Sequence, residues 1–370
     1  FCNTYEPNCM TFSDLGSQDI SECISCPSTL VTINGSEYCQ TDLNTIADFM
    51  ALTGETNPSN EEIIAFSTSV GSNTANSIWY DNRLQVLNLF SKNLTGQIPD
   101  SITDCSMLVE IDLSSNSGLT GTIPSLSSLK ELTYLSMNNN TNITGDLSSL
   151  ANMTTLEEIY LQNTTLAGTL EFLENNTSLK VISLANNNLS GNLASLSGLI
   201  HLEEIRLNSN NISGSLDTLE NLTQLQKLYL DQNSTIGGTL EGLSSLTNLE
   251  YISLINTGLT GEISHISNLT RLILIKLDNN QLEGSISSLS NLTQLSRLHL
   301  NNNNLSGNID DISTLTNLTN LYLSDNNFVG DISALSSLSN LSYLYLKNNQ
   351  FSGDLSSLLN LENLVNIYIQ

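Results

Sequence analysis

The sequence predicts an α/β-type repeat solenoid: a right-handed superhelix with a parallel β-ladder on its concave face and irregular or 3-10 returns on its convex face. Three observations predict it. From Leu84 onward the chain repeats itself about every 23 to 24 residues, inside the range of stacked-coil architectures. Starts fall at Leu84, Leu108, Leu132, Leu156, Leu179, Leu202, Leu225, Leu249, Leu272, Leu295, Leu318, Leu341 and Leu364, giving about twelve full copies and a thirteenth start. Each unit holds a short apolar/polar alternation, as in Leu298-His-Leu300, which buries one face of a strand. Each alternation is followed by an Asn and then a Gly, as in Asn303 and Gly307. One such strand cannot bury its apolar face alone, whereas copies stacked in parallel form a continuous core.

The recurring Asn (116, 140, 187, 210, 233, 280, 303, 326 and 349) stands just after each strand. Its amide carries both donors and acceptors, so it can pair turn backbone groups of adjacent coils that stacking would bury. Thr164 and Thr257 replace it in two copies. The Gly marks a bend where a side chain is costly. The Ser/Thr-rich stretch that follows has weak helix propensity, hence the 3-10 or irregular return.

Ahead of the array, residues 1–40 read as a small cysteine-rich module and 41–83 as a helical cap, with the solenoid occupying 84–370. Five of the six Cys (Cys2, Cys9, Cys23, Cys26, Cys39) lie in the first forty residues and Cys105 stands apart. Such clustering points to disulfides and an oxidising compartment; all six are candidates, and six Cys allow 15 pairings. Zinc at Cys23 and Cys26 is the weaker reading, because no His lies near. Cys105 either pairs back to the N-terminal module or stays a free or intermolecular thiol. Asp42 to Leu52 reads as a helix with Leu43, Ile46, Ala47 and Met50 on one face, and Glu61 to Ser67 as a second. Trp79 is assigned to cap packing. The chain starts at Phe1 without Met and is read as a mature chain whose leader was removed. The last unit stops just after its strand, so the expectation is either that the chain continues or that the open coil meets another surface.

With 37 acidic against 10 basic residues the formal net charge is −27, a poor match to phosphate backbones, so nucleic acid is excluded as a partner. No apolar run reaches the roughly 20 residues that a membrane helix requires. Charged residues make up only 13% of the chain, and its polar surface is mostly Asn, Ser and Thr. Seventeen Asn-x-Ser/Thr sequons follow from that composition. Asn93, Asn188, Asn211 and Asn304 share one repeat position, with Asn142 shifted by an insertion. Asn152, Asn175, Asn221, Asn268 and Asn291 share another, and Asn317 and Asn340 a third; Asn34, Asn139, Asn163 and Asn176 complete the candidates. A shared position means a stripe along the solenoid. N-linked glycans are expected at most of these sites, with Asn233 excluded by its place in the amide row and Asn176 preferred over its neighbour Asn175.

The LxxLxLxxNxLxGxI unit, with Gly-Gln-Ile98-Pro99 and Gly-Thr-Ile123-Pro124, resembles the plant-type leucine-rich repeats of receptor-like protein ectodomains and polygalacturonase-inhibitor-like proteins. The resemblance covers Leu84 to Gln370 and departs after the second copy, where the Ile-Pro step is lost. It implies an extracellular binding module.

Exposed strand positions carry most of the Tyr: Tyr134, Tyr160, Tyr229, Tyr251, Tyr322, Tyr343, Tyr345 and Tyr368. Arg206, Lys227, Lys276, Arg297, His299 and Lys347 share that face. Tyr and cations together are the composition of binding surfaces. The expected ligand face therefore comprises Tyr160, Arg206, Lys227, Tyr229, Tyr251, Lys276, Arg297, His299, Tyr322, Tyr343 and Tyr345, with tyrosine faces stacking on sugar rings or peptides. Acids on the same face are expected to pair across strands with the cations. His201 and His265 fall on the returns, and no metal-ligand spacing, nucleophile elbow, P-loop or dinucleotide fingerprint occurs. The reading is a non-enzymatic, extracellular, cell-surface or secreted interaction protein for a glycan, peptide or protein. The alternative is a subunit of a glycosylated fibre or coat assembling head-to-tail. No cofactor is expected beyond glycans, apart from the weak Ca2+ affinity an acidic extracellular surface offers.

Overall fold

The computed structural model describes residues 26–68 and 78–369. Cys2, Cys9 and Cys23 lie outside the described residues. The chain forms two compact units, Phe1–Gly168 with Phe172–Leu179, and Thr169–Glu171 with Lys180–Gln370.

The first unit begins with an antiparallel hairpin, Leu30–Ile33 against Ser36–Cys39. Asn34 and Gly35 turn it with φ of 51° and 85°, the left-handed pair that a two-residue hairpin loop requires. Cys26 is disulfide-bonded to Cys39, which removes the zinc reading of Cys26. The helix Gln40–Ala51 buries Leu43, Ile46 and Met50, together with Phe49, and a second helix spans Asn60–Thr68. Both lie within two residues of the spans their apolar periodicity predicts. One of the two polar residues on the buried face of the first helix, beside Thr45, is Asp42. It accepts from Arg83 Nε at 2.9 Å and from the Leu84 N–H at 2.8 Å, tying the helix to the first strand of the array. Trp79 packs edge-on against Tyr38 at 5.0 Å, as cap packing predicts. Ile78–Tyr80 pairs antiparallel with Arg83–Asn88, and from there Glu110–Asp112, Tyr134–Ser136 and Glu158–Tyr160 add in parallel.

Cys105 is a free, fully buried thiol, so the disulfide expectation for it fails. Burial, then the nearby Asp42 charge, pushes its pKa well above the usual thiol range, so it is held as a small protonated core group.

The second unit is the repeat array in its regular form. Val181–Ser183, Glu204–Arg206, Lys227–Tyr229, Tyr251–Ser253, Leu274–Lys276, Arg297–His299, Asn320–Tyr322, Tyr343–Tyr345 and Asn366–Tyr368 form an in-register parallel ladder. The central residue of each internal strand, such as Ile275, Leu298 or Leu321, is fully buried. At roughly 1.5–3 kcal/mol per buried aliphatic side chain, these rows supply the main stabilisation. The returns contain short 3-10 turns, for example Ile286–Leu289 and Ile309–Ile312. Where the sequence suggests only irregular chain, a second parallel ladder runs through Thr260–Glu262, Gln281–Ser285, Asn304–Asn308, Asn327–Asp331 and Gln350–Ser352.

The amide row forms as predicted. Asn303 Nδ2 donates to the Leu277 carbonyl of the preceding coil at 2.9 Å and to Leu300 of its own at 3.1 Å, while its Oδ1 accepts from the Leu282 N–H at 3.0 Å. Gly307 shows why the bend takes glycine. Its φ is +112°, and a Cβ there would lie 2.7 Å from Ser285 Oγ.

Candidate functional site

Because strand residues alternate between the two faces, each three-residue strand buries its centre and turns its first and third residues outward. In the second unit, register then stacks outward residues from successive coils into rows. One row reads Arg206, Tyr229, Ser253, Lys276, His299, Tyr322, Tyr345, Tyr368; beside it run Glu204, Lys227, Tyr251, Leu274, Arg297, Asn320, Tyr343, Asn366.

At one end the face is internally paired. Lys227 Nζ donates to Glu204 Oε2 at 2.8 Å, Arg206 Nε pairs with the same carboxylate, and the Arg206 guanidinium lies over the Tyr229 ring at 4.5 Å. Burial works to raise the Glu204 carboxyl, but the two cations outweigh it and hold it below its usual value. The hydrogen bond to Glu204 likewise raises Lys227. Arg206, Lys227 and Glu204 thus satisfy one another, as the cross-strand expectation has it.

At the other end the aromatics stack on themselves. Ring centroids are 4.1 Å apart for His299–Tyr322, 4.4 Å for Tyr322–Tyr345 and 4.6 Å for Tyr345–Tyr368, close to the strand spacing that imposes them. The Tyr345 and Tyr368 rings stack at 24° while Tyr322 is tilted by 32° and 58° to its neighbours, so Tyr322 and Tyr345 each have a ring on both sides; Tyr251 and Tyr343 make no ring contact among the described residues. Lys276, Arg297 and Lys347 border this row, and none makes an ion pair or side-chain hydrogen bond among the described residues. From Tyr251 to Tyr368 the two rows contain no acid, in a chain with 37 of them. The nearest acids are committed: Asp278 Oδ1 accepts twice from Asn301, at 3.0 and 2.7 Å, and Asp325 accepts from Asn348. His299 has a side chain only 13% exposed, and its Nε2 has no partner among the described residues. Burial, then the Lys276 and Arg297 charges, pushes its pKa down to about 4, so it is neutral at physiological pH.

Tyr160 does not join this group. It belongs to the first unit, where its hydroxyl donates to Glu158 at 2.8 Å and its ring packs on Tyr134 at 5.5 Å. The outward strand positions there include Glu110, Asp112 and Glu158 but no cation.

The sequons separate cleanly from these rows. No outward position of the first ladder carries one in either unit, although Asn88, Asn320 and Asn366 stand there; Asn304 opens a strand of the second ladder instead. Asn34, Asn93, Asn139, Asn142, Asn152, Asn188, Asn211, Asn221, Asn268, Asn291, Asn304, Asn317 and Asn340 are exposed, and Asn163 is half-buried. The preference for Asn176 is reversed. Its side chain is fully buried, donating to the Leu150 carbonyl at 2.9 Å and accepting from the Met153 N–H at 3.1 Å, while Asn175 is exposed. Thr177 completes the sequon of Asn175 and Ser178 that of Asn176, so only packing across the coils tells them apart.

Among the described residues no three His, Cys, Asp or Glu side chains gather as metal ligands, and no helix is long and apolar enough to cross a membrane.

A family model of leucine-rich repeats (two copies) matches residues 293–337. No curated protein matches the chain in sequence. Among solved structures, the leucine-rich-repeat ectodomain of the plant receptor kinase GASSHO1/SCHENGEN3 from Arabidopsis thaliana, in complex with CASPARIAN STRIP INTEGRITY FACTOR 2, is 27% identical with a TM-score of 0.68. That match covers 76% of this chain and 38% of the receptor chain. A TDR receptor is 32% identical with a TM-score of 0.68, covering 77% of this chain and 55% of its own. The Arabidopsis receptor kinase HAESA, in complex with the peptide hormone IDA and the co-receptor SERK1, is 32% identical with a TM-score of 0.66, covering 77% and 54%. The chain is thus a leucine-rich-repeat solenoid, similar over about three quarters of its length to plant receptor ectodomains. It spans between 38% and 55% of the length of those three receptor chains.

Proposed function

We propose that this chain is an extracellular, N-glycosylated, non-enzymatic binding module that engages a peptide or protein through the outward ladder face of its second unit. The observation that carries the reading is the combination on that face of self-stacked tyrosines, unpaired cations and no sequon. Tyr and Arg are the residue types that dominate binding energy at interfaces. A bulky glycan would obstruct any face that bore it, and the exposed sequons all lie off the outward rows of the first ladder. The HAESA structure, which holds a peptide hormone, points the same way for a related fold.

The test is selection of peptides from a random display library on the protein secreted from a eukaryotic host. Binders should lose roughly tenfold or more affinity on Tyr322→Ala/Tyr345→Ala, in line with hot-spot aromatics. Binders indifferent to both tyrosines would overturn the reading. On the same material, isotope-tagged deglycosylation should mark exposed Asn such as Asn188, Asn221 and Asn291, and leave Asn176 and Asn233 unmarked.

A further inference from the structure

The unpaired charges on this face select a class of partner, an inference that rests on the ladder face being the binding surface. Lys276 and Arg297 stand on the two rows of a chain whose net charge is −27, with neutral neighbours along each row, and Lys347 lies two residues beyond Tyr345; none of the three makes an ion pair with an acid among the described residues, although the Asp278 charge acts on Lys276 at longer range. Elsewhere on the same ladder, Arg206 and Lys227 are matched by Glu204, so the fold does pair its cations where it places an acid within reach. Unpaired like charges kept together repel one another, a cost that an anionic partner relieves. The Tyr322, Tyr345 and Tyr368 side chains, packed ring against ring, offer hydroxyls in the same strip.

We propose that this patch takes an extended acidic peptide segment whose carboxylates meet Lys276 and Arg297 at one end and Lys347 at the other, with the tyrosine hydroxyls donating between them. The spacing follows from the ladder. Lys276 ends the strand Leu274–Lys276, and Lys347 lies two residues beyond Tyr343–Tyr345, three intervals on: about 14 Å across the ladder and about 7 Å along it, or about 16 Å in all. An extended chain rises about 3.3 Å per residue, so the two acids lie about four to five residues apart. Peptide is favoured over an acidic polysaccharide because Tyr322 and Tyr345 each have a ring neighbour on both sides at 4.1–4.6 Å, which leaves no room for a sugar ring to stack on either.

The experiment uses the full chain and the display library above, sequencing the binders that require Tyr322 and Tyr345. The expected result is enrichment of Asp or Glu at positions about four to five apart. Affinity should fall roughly tenfold or more on Lys276→Gln/Arg297→Gln/Lys347→Gln and fall with added NaCl, with the circular dichroism of the variant unchanged. Arg271→Gln, which removes an exposed cation paired with Glu250 off this face, should leave affinity unchanged. Equal weakening by Arg271→Gln would reduce the effect to overall charge and overturn the proposal. Tyrosine-dependent binders without acidic enrichment would overturn the acidic class and leave the ladder-face reading standing. An absence of tyrosine-dependent binders would end both. Displacement of the selected peptides by polygalacturonate at lower concentration would reassign the patch to an acidic polysaccharide.

Discussion

Replacing Asn280 by Ala tests the amide row where its partners are best defined. Asn280 Nδ2 donates to the Leu254 carbonyl of the preceding coil at 2.8 Å and to Leu277 at 3.0 Å; Oδ1 accepts from the N–H groups of Thr257 at 3.2 Å and Leu259 at 3.1 Å. Alanine removes all four bonds. The Leu254 carbonyl keeps the Thr257 hydroxyl at 2.9 Å and the Leu277 carbonyl keeps Asn303 Nδ2 at 2.9 Å, so two buried groups, the Thr257 and Leu259 N–H, are left without partners. At about 1 kcal/mol each, and up to twice that where water cannot enter, the cost is about 2–4 kcal/mol. Asn280→Thr should cost less, about 1–2 kcal/mol. A threonine here would bond the Leu277 carbonyl as Thr257 bonds Leu254, and where Thr257 follows Asn233 the Ile236 N–H turns instead to the Asn233 carbonyl at 3.0 Å. Urea denaturation followed by circular dichroism, with hydrogen exchange to catch local opening of adjacent coils, reads both variants. An Asn280→Ala loss under about 1 kcal/mol, or a Thr variant as damaged as the Ala variant, would refute the reasoning.

Other perturbations probe different parts of the structure. Asp42→Ala removes the carboxylate paired with the Arg83 charge, whose side chain is only 3% exposed, and should cost about 3–5 kcal/mol in thermal or chemical unfolding of the first unit. His299 has a folded pKa near 4 against about 6.5 unfolded, so the unfolded state binds more protons between those values. Stability contributed by the neutral ring is therefore complete above pH 6.5 and is lost as the pH falls towards 4, by about 3 kcal/mol at most. His299→Gln should flatten that part of the stability profile, and an unchanged profile would contradict the buried neutral ring. Cys105 should resist thiol reagents in the native state and react once the first unit is unfolded in urea.

Much of the fold is legible in the sequence because a repeat restates its rules in every coil. The apolar alternation, the Asn after each strand and the two cap helices all follow from residues close together in one coil. What escapes is whatever depends on register between coils or between distant segments. Asp42 reads as the start of a helix, and only packing against Arg83 shows it as a buried ion pair. Asn34-Gly35 is itself a hairpin signal, missed within a segment rich in cysteine. The second ladder needs Gly284, Gly307 and Gly330 to fall in register on neighbouring coils, which periodicity alone does not reveal. On the candidate face, the sequence picks out the outward residues correctly. It does not separate Arg206 and Lys227, satisfied by Glu204, from Lys276 and Arg297, nor show that tyrosines on successive strands cover each other's rings.

Hydrogen–deuterium exchange of the protein with and without its tightest selected peptide tests the binding face most directly. The account predicts protection centred on Arg297–His299, Asn320–Tyr322 and Tyr343–Tyr345, with the 3-10 returns unchanged. Protection confined to the returns, or to the second ladder from Gln281 to Ser352, would contradict it.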